Sequence, residues 1–175
     1  RFVDAAAGTK ARILDTRKTL PGYRALEKYA VRCGGGHNHR MGLYDGCLIK
    51  DNHLAAWRES HTPSSVADAV RRARDHVGPG ISVEVEVDSL EQLVDALAGS
   101  PDIVLLDNMT PQMLAQAVGI RNERAPGVQL EASGGIRLDN AAEIARTGVE
   151  RISVGAITHS AAALDLAFDW KSRSR

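Results

Sequence analysis

The sequence has no hydrophobic run long enough to cross a membrane, and it lacks the pattern of a secretion signal. No apolar stretch approaches the ~18 residues that a membrane helix requires, and the first residues, Arg1–Asp4, do not lead into an apolar segment. Only two cysteines occur, Cys33 and Cys47, too few for a disulfide framework. These absences argue against a membrane-spanning or disulfide-rich class and favour a cytoplasmic protein.

Aromatic residues are also scarce, at 4% of the chain. Because single-stranded nucleic acid binds by stacking its bases on aromatic side chains, a nucleic-acid partner is not expected. The charges sum to zero but are unevenly placed. Residues 1–50 carry ten Lys/Arg and four Asp/Glu, so the remainder is correspondingly acidic. A basic first part suggests an anionic partner, although solvated surface charge is the alternative for any single side chain.

Strand-like and helix-like segments alternate along the chain. Residues 81–87 alternate apolar and polar positions as a half-buried strand does, and Ser89 opens a helix whose apolar stripe ends at Gly99. Thr110 followed by Pro111 is typical of a helix start. Strands are predicted at 12–15, within 44–50 ending at Ile49, and at 81–87, 102–106, 128–131 and 151–154, and helices at 22–32, 64–77, 89–99, from 110, 138–146 and 159–168.

Repeated strand–helix units predict a parallel sheet with right-handed crossovers, either a barrel or an open doubly wound sheet. No G-x-G-x-x-G motif follows the first strand, so a dinucleotide-binding fold gains no support. Six strands are too few for a regular eight-stranded barrel. We therefore expect an α/β fold, an irregular or incomplete (β/α) barrel of about six parallel strands, TIM-barrel-like, with residues 1–175 as a single catalytic domain.

Polar or glycine residues follow every predicted strand at its carboxyl end, where parallel α/β proteins bind their ligands. Glu84 and Glu86 share one face of their strand because side chains alternate. A solvated rim explains one or two such ends, whereas all six together favour a binding site. The other ends carry Asp15 to Lys18, Lys50 to His53, Asp107 and Asn108, Glu131 with Ser133, Gly134 and Gly135, and Gly155 with Ala156.

The chemistry of this edge suits a phosphorylated sugar and an acidic second substrate. Arginine and lysine bind carboxylates and phosphates. Carboxylates suit Mg²⁺ or ribose hydroxyls. Glycine loops that open helices let peptide N–H groups approach a phosphate, although each glycine alone is more simply a turn. The anion donors are Arg17, Lys18, Arg40 and Lys50, the carboxylates are Glu86 and Asp107, and the phosphate loops are Ser133-Gly134-Gly135 and Gly155-Ala156, with His159 near the second.

The stretch GGGHNHR, residues 34–40, places three glycines directly before two histidines and an arginine. We interpret the glycines as freedom for His39 and Arg40 to approach an anion. A zinc site is the alternative, but its spacing matches no usual zinc finger; it would use Cys33, His37, His39 and Cys47. A serine nucleophile has no support because G-x-S-x-G does not occur.

Six motifs occur in order along nearly the whole chain: ILDTRKTLPG (13–22), GGGHNHRMGLYDGCLIKDNH (34–53), VEVEVDSLEQL (83–93), LLDNM (105–109), EASGGI (131–136) and SVGAITHS (153–160). HNHR followed by LIKDNH is the most specific of them, whereas SGG alone is weak. Together they resemble the quinolinate phosphoribosyltransferase family. The resemblance implies transfer of the phosphoribosyl group of phosphoribosyl pyrophosphate to quinolinate with decarboxylation. The products are nicotinate mononucleotide, pyrophosphate and CO₂, the reaction serves NAD biosynthesis, and Mg²⁺ is the cofactor.

The resemblance also implies a role for each candidate residue. Arg17, His39 and Arg40 would hold the two carboxylates of quinolinate, with Lys18 and Thr19 beside them. The catalytic residues would be Lys50, between quinolinate and the sugar pyrophosphate, and Glu86 and Asp107, at the ribose hydroxyls and the metal. The 5′-phosphate would bind at Ser133, Gly134, Gly135, Gly155 and Ala156, with His159 nearby.

Members of this family carry an N-terminal domain ahead of the barrel, and the chain begins without methionine, so we expect a fragment or a processed product. That domain supplies a further substrate arginine from the partner subunit, and the family therefore implies a homodimer or a larger even assembly. Two other functions remain open. One is a related phosphoribosyltransferase that uses another pyridine acid, and the other is a module that binds anions or nucleotides without catalysis.

Overall fold

The computed structural model describes residues 1–62 and 64–170, in which six parallel strands alternate with helices. All six predicted strands are confirmed, within a few residues at their ends. The strands are β1 (Arg12–Leu14), β2 (Cys47–Ile49), β3 (Val83–Val87), β4 (Ile103–Asp107), β5 (Gln129–Ser133) and β6 (Arg151–Ser153). The helices are α1 (Phe2–Ala5), α2 (Arg24–Cys33), α3 (Asp51–Ser60), α4 (Val66–His76), α5 (Leu90–Ala98), α6 (Pro111–Arg124), α7 (Ala141–Arg146) and α8 (Ala156–His159).

The strands follow one another around the sheet in chain order, and β1 closes onto β6 to give the order β1-β6-β5-β4-β3-β2. Every pairing is parallel. A doubly wound sheet would reverse its strand order at a switch point, and this sheet does not. The predicted incomplete barrel is therefore confirmed. Within residues 1–62 and 64–170 the ring of strands stays open between β1 and β2.

Local sequence signals set several of the helices as expected. The hydroxyl of Ser89 accepts a hydrogen bond from the N–H of Gln92 at the start of α5, and the hydroxyl of Thr110 accepts one from the N–H of Met113 at the start of α6, with Pro111 as the first helical residue. Apolar side chains of the strands and the helices pack into one buried core. That packing holds the carboxyl ends of the strands in fixed positions around one edge.

Three helices differ from the prediction, and one of them is the short α1, which was not predicted. The helix predicted at 159–168 is wrong, because α8 ends at His159 and residues 161–170 form no helix or strand. Helix α3 was not predicted, because Lys50 precedes it instead of a residue with a short capping side chain. Helix α3 includes Trp57, whose indole stacks on the ring of His61 with centroids 3.5 Å apart. Among the described residues, no helix is long and apolar enough to span a membrane.

The segment 37–40 crosses the opening between β1 and β2. His37 makes an isolated parallel bridge with Leu14 of β1. On the helix side of the sheet, the carboxylate of Asp15 accepts the main-chain N–H of His39 at 2.9 Å and pairs with the buried ammonium of Lys28. The amide of Asn38 donates to the same carboxylate. The HNHR stretch is therefore anchored where a further strand would otherwise lie.

Candidate active site

Side chains from three strands and from the segment 37–40 form a polar cluster inside the barrel, which we call the interior cluster: His39, Glu84, Glu131 and Arg151. Nε2 of His39 lies 3.1 Å from Oε2 of Glu84 and 3.3 Å from Oε1 of Glu131. Nε of Arg151 donates to Oε2 of Glu131 at 2.6 Å, and the hydroxyl of Ser153 donates to Oε1. Both glutamates are buried. Buried charge is costly unless it is paired, and each of these carboxylates faces a proton donor or a cation.

The interior cluster shifts the acidities of its members. Burial alone lowers the pKa of His39, but hydrogen bonds to Glu131 and Glu84, and their charges, outweigh it and raise the pKa to about 9. Burial and the charge of Glu131 raise the pKa of Glu84. One contact opposes the charged imidazole: Nδ1 of His39 accepts the N–H of Arg40 at 2.8 Å, which requires a free lone pair. With a proton on Nε2, the ring of His39 donates to the carboxylates whether the imidazole is neutral or charged.

The same cluster contains metal-ligand types, since one donor atom from each of His39, Glu84 and Glu131 lies within 4.8 Å of the others. The guanidinium of Arg151 already neutralises Glu131, and a bound cation would be repelled by it. The alternative zinc set is not assembled. In the part of the chain that the structure describes, Cys33 is exposed, and neither cysteine joins a group of three or more metal-ligand residues.

Arg17 and Arg40 form a second feature, the arginine pair. Burial, and then the positive charge of Arg17, lower the pKa of Arg40. Nε of Arg17 is buried and has no hydrogen-bond partner among the described residues. The guanidinium of Arg40 donates to the carbonyl of Gly46 at 3.0 Å, and within 1–62 and 64–170 neither arginine has a carboxylate at ion-pair distance. Two neighbouring cations with no carboxylate in direct contact among the described residues suit a bound anion.

Arg40 also borders a cavity of about 440 Å³ that opens beside the interior cluster. His39, Glu84 and Arg151 line the same cavity. A cavity of this size is within the range of small-molecule sites, and most of its lining residues are polar or charged. Arg40 and three members of the interior cluster therefore border a single space, whereas Arg17 does not line it.

Lys50 and Glu86 meet at the carboxyl ends of β2 and β3. The ammonium of Lys50 lies 2.7 Å from Oε2 of Glu86. Asp107 ends the neighbouring strand β4 and accepts the side-chain amide of Asn108 at 2.7 Å. In the register of β3 and β4, Glu86 pairs with Leu105, so Asp107 lies on the same face one step further along. Among the described residues, no hydrogen bond or ion pair engages the second oxygen of either carboxylate.

The two glycine loops lie beside these carboxylates. Gly134 has φ +86°, and a side chain there would clash with the amide oxygen of Asn108, so this position requires glycine. Asp107 pairs in register with Ser133, which brings the first loop next to the acidic residue. These loop residues are therefore fixed by their backbone geometry.

At the second loop, a Cβ on Gly155 would lie 2.9 Å from Nε2 of His159 and 3.8 Å from Cδ of Lys18. The hydroxyl of Thr158 donates to the carbonyl of Lys18 at 2.7 Å. Ala156 begins α8 directly after Gly155. Lys18 thus lies beside Gly155 and His159 although about 140 residues separate it from them along the chain.

The remaining candidates lie less centrally. The hydroxyl of Thr19 accepts a hydrogen bond from Nε of Arg24 at 3.1 Å, which directs it toward α2, and Gly135 is exposed with φ +62°. Both ring nitrogens of His39 are engaged within the protein.

Sequence reasoning placed Glu84 and Glu131 at strand ends without giving them a role, and it missed Arg151. The two-residue spacing of Glu84 and Glu86 was a usable signal, because it puts both inside the barrel.

Comparison with known proteins identifies the family. A family profile described as "Quinolinate phosphoribosyl transferase, C-terminal domain" matches residues 1–169. The chain belongs to this family. It is 56% identical over 168 residues to the nicotinate-nucleotide pyrophosphorylase [carboxylating] of Mycobacterium leprae, covering 96% of this chain and 57% of that protein. It is 44% identical over 158 residues to the probable enzyme of that name from Bacillus subtilis, covering 90% of this chain and 52% of that protein.

Solved structures agree with the family assignment. The nicotinate-nucleotide pyrophosphorylase of Francisella tularensis superposes with a TM-score of 0.84 and 45% sequence identity, covering 95% of this chain and 56% of that chain. The present chain thus spans little more than half the length of the quinolinate phosphoribosyltransferase relatives named here.

Proposed function

We propose that this chain carries the catalytic barrel for phosphoribosyl transfer from phosphoribosyl pyrophosphate to quinolinate with decarboxylation, in NAD biosynthesis. The observation that carries the proposal is the arginine pair. Arg17 and Arg40 lie close enough to influence each other's charge, and Nε of Arg17 is buried without a partner in the described chain. A doubly acidic pyridine supplies the two negative charges that such a pair lacks.

The neighbouring residues suit the second substrate. Lys50 stands beside Glu86 at 2.7 Å, between the arginine pair and the glycine loops in strand order. We assign the 5′-phosphate to the peptide N–H groups of the loops at Ser133–Gly135 and Gly155–Ala156, with Lys18 and His159 at its edge. The ribose then lies over the carboxylates of Glu86 and Asp107. His39 contributes to the carboxylate site through Arg40, since its own ring nitrogens are engaged.

The reaction follows from these placements. The pyridine nitrogen attacks the anomeric carbon of the ribose as the bond to pyrophosphate breaks, and Glu86 and Asp107 stabilise the positive charge that develops on the sugar. The ammonium of Lys50 stabilises the negative charge that develops on the departing pyrophosphate. The carboxyl group next to the ring nitrogen then leaves as CO₂. Its bonding pair stays on the ring carbon, where the positive nitrogen stabilises it until a proton adds, while the arginine pair keeps hold of the other carboxylate.

Mg²⁺ fits the donors present. Glu86 and Asp107 are hard oxygen ligands on one face of adjacent strands, and each has one oxygen without a partner in the described chain. Mg²⁺ is usually held by one or two carboxylates together with substrate phosphates. Bound there, the ion would neutralise charge on the pyrophosphate.

We also propose a cytoplasmic enzyme that assembles as a homodimer or a larger even oligomer, in keeping with the exposed apolar face of Leu20, Tyr23, Leu26 and Tyr29.

Binding and turnover together test the proposal. Calorimetry on this 175-residue chain should show quinolinate binding well above that of nicotinate, which has one carboxylate. Turnover is measured as release of labelled CO₂ from carboxyl-labelled quinolinate, with this chain and with a chain extended to the length of the relatives. Turnover of nicotinate alone would favour a related transferase. Binding by both chains with no turnover would favour the non-catalytic module.

A further inference from the structure

His39 is held at both ends of its ring. Nε2 faces the carboxylates of Glu84 and Glu131, and Nδ1 accepts the main-chain N–H of the next residue, Arg40. The side chain is only 11% exposed. The ring therefore links two buried carboxylates to the backbone position from which the Arg40 side chain extends.

The two carboxylates are not equally fixed. Glu131 is fully buried, and its oxygens are engaged by Ser153 and by Arg151 at 2.6 Å, both on the neighbouring strand β6. Glu84 is bonded through Oε2, and its Oε1 has no partner among the described residues. Glu131 is thus the rigid contact for the His39 ring, and Glu84 adds to it.

Arg40 needs this support because its chain segment is held by few strand contacts. The segment follows three glycines and crosses the opening between β1 and β2 with a single bridge, at His37. Asp15 anchors it from the helix side. In the described part of the chain, the side chain of His39 is what anchors it from the barrel side.

We propose that Glu131 is a positioning residue: it holds the ring of His39, and His39 holds the main chain of Arg40 so that its guanidinium stays beside Arg17. This inference rests on the proposed function, because the group being positioned is half of the quinolinate site. Glu131 itself does not touch substrate. Its effect on the pyridine acid passes through His39 and Arg40.

Glu131→Gln tests this chain of contacts. The carboxylate receives hydrogen bonds from three donors, whereas an amide offers one acceptor oxygen and turns an NH₂ toward a donor. The arginine competes for that oxygen, so the His39 ring loses its fixed partner. Calorimetry on the full chain should show about tenfold weaker quinolinate binding and unchanged affinity for phosphoribosyl pyrophosphate.

A double-mutant cycle shows whether the effect passes through His39. His39→Ala alone should weaken quinolinate binding, and adding Glu131→Gln should cost no more, because the ring that transmits the effect is gone. Losses that simply add would overturn the proposal, as would Glu131→Gln binding quinolinate like the unaltered chain. Ile152→Val is the matched control, since it trims a fully buried side chain on the neighbouring strand β6 without touching His39.

A readout that does not depend on substrate separates this inference from the proposed function. In nitrogen-15 NMR spectra of the free chain, Glu131→Gln should shift the ring signals of His39 and the amide signal of Arg40, while Ile152→Val leaves both in place. If the unaltered chain fails to bind quinolinate, the proposed function falls, and these signals still decide the positioning role. An unmoved Arg40 amide in Glu131→Gln refutes it.

Discussion

The interior cluster and Arg40 border one cavity, but the cluster and the arginine pair handle charge in opposite ways. Inside the barrel, each carboxylate faces a histidine or an arginine, with distances from 2.6 to 3.3 Å. At the arginine pair, the charge of Arg17 acts on Arg40, and within the described residues neither guanidinium has a carboxylate at ion-pair distance; Glu84 and Asp45 act on Arg40 only through longer-range charge. A fold tolerates buried charge when it is paired, so an unpaired set of like charges indicates a ligand.

The comparison shows that two adjacent residues of the HNHR segment have different roles. His39 turns inward and completes a charge network that belongs to the protein. Arg40, the next residue, contributes charge that the protein leaves unpaired. Variants at paired positions should therefore change stability first, and variants at unpaired positions should change binding first.

The largest effect is expected at a paired position outside the barrel, Lys28. Lys28→Met leaves the carboxylate of Asp15 fully buried without its cation, which should lower the free energy of unfolding by about 3–5 kcal/mol. Urea unfolding measures this. The double variant Asp15→Asn, Lys28→Met removes both charges and should recover part of the loss. If Lys28→Met proved as stable as the unaltered chain, buried pairing would not be what holds this region.

At the unpaired position, Arg40→Ala should weaken quinolinate binding by about 2–3 kcal/mol, because a charge-assisted contact is lost. The affinity for phosphoribosyl pyrophosphate should change little, and unfolding should be nearly unaffected. Calorimetry with both ligands measures the first two. Arg137→Ala is the control, since that arginine is 69% exposed and pairs only with Asp139 among the described residues. Equal losses for both ligands would contradict the assignment of Arg40 to the carboxylates.

Much of this architecture was predictable from local pattern. The alternation Val83–Val87 and the caps Ser89 and Thr110 are short-range signals, and the structure follows them. The last helix failed because residues 164–170, LDLAFDW, alternate apolar and other residues with the period of a strand rather than a helix. That period was visible in the sequence and argued against the helix.

The interior cluster was not predictable in the same way. His39 and Glu131 are far apart in the sequence, and they meet only because an irregular segment fills the opening between β1 and β2. No periodicity reports such a contact. The residues at the carboxyl ends of the strands were easier to place from the sequence, because the carboxyl ends of parallel strands share one edge whatever the details of the connections.

The pH dependence of stability tests the pairing of His39 in the interior cluster. The pKa of His39 is raised to about 9 from 6.5, so the stability it contributes is fully present below about pH 6.5 and is lost as the pH rises through 9. We expect a fall of about 3 kcal/mol in the free energy of unfolding across that interval. Urea unfolding at several pH values measures it, and His39→Asn should flatten the curve. A flat curve for the unaltered chain would mean that the N–H of Arg40 keeps the ring neutral.

The smallest effect is expected at the second glycine loop. Gly155 has φ −63° and ψ −33°, which alanine adopts readily, and the atoms a methyl group would meet are the ends of His159 and Lys18. Those side chains can move, so stability should hardly change. The methyl group would nevertheless occupy the approach of a phosphate to the start of α8, and the affinity for phosphoribosyl pyrophosphate should fall about tenfold, or about 1.4 kcal/mol.

Gly119→Ala is the matched control for that loop, because the new methyl group on α6 meets nothing within 4 Å. It should leave ligand affinity unchanged and stabilise the helix by about 0.5–1 kcal/mol. Quinolinate measured alone should bind Gly155→Ala normally, since the arginine pair is untouched. Loss of quinolinate binding in Gly155→Ala would show that the loop and the arginine pair are coupled, and the division between paired and unpaired charge would then be too simple to explain the site.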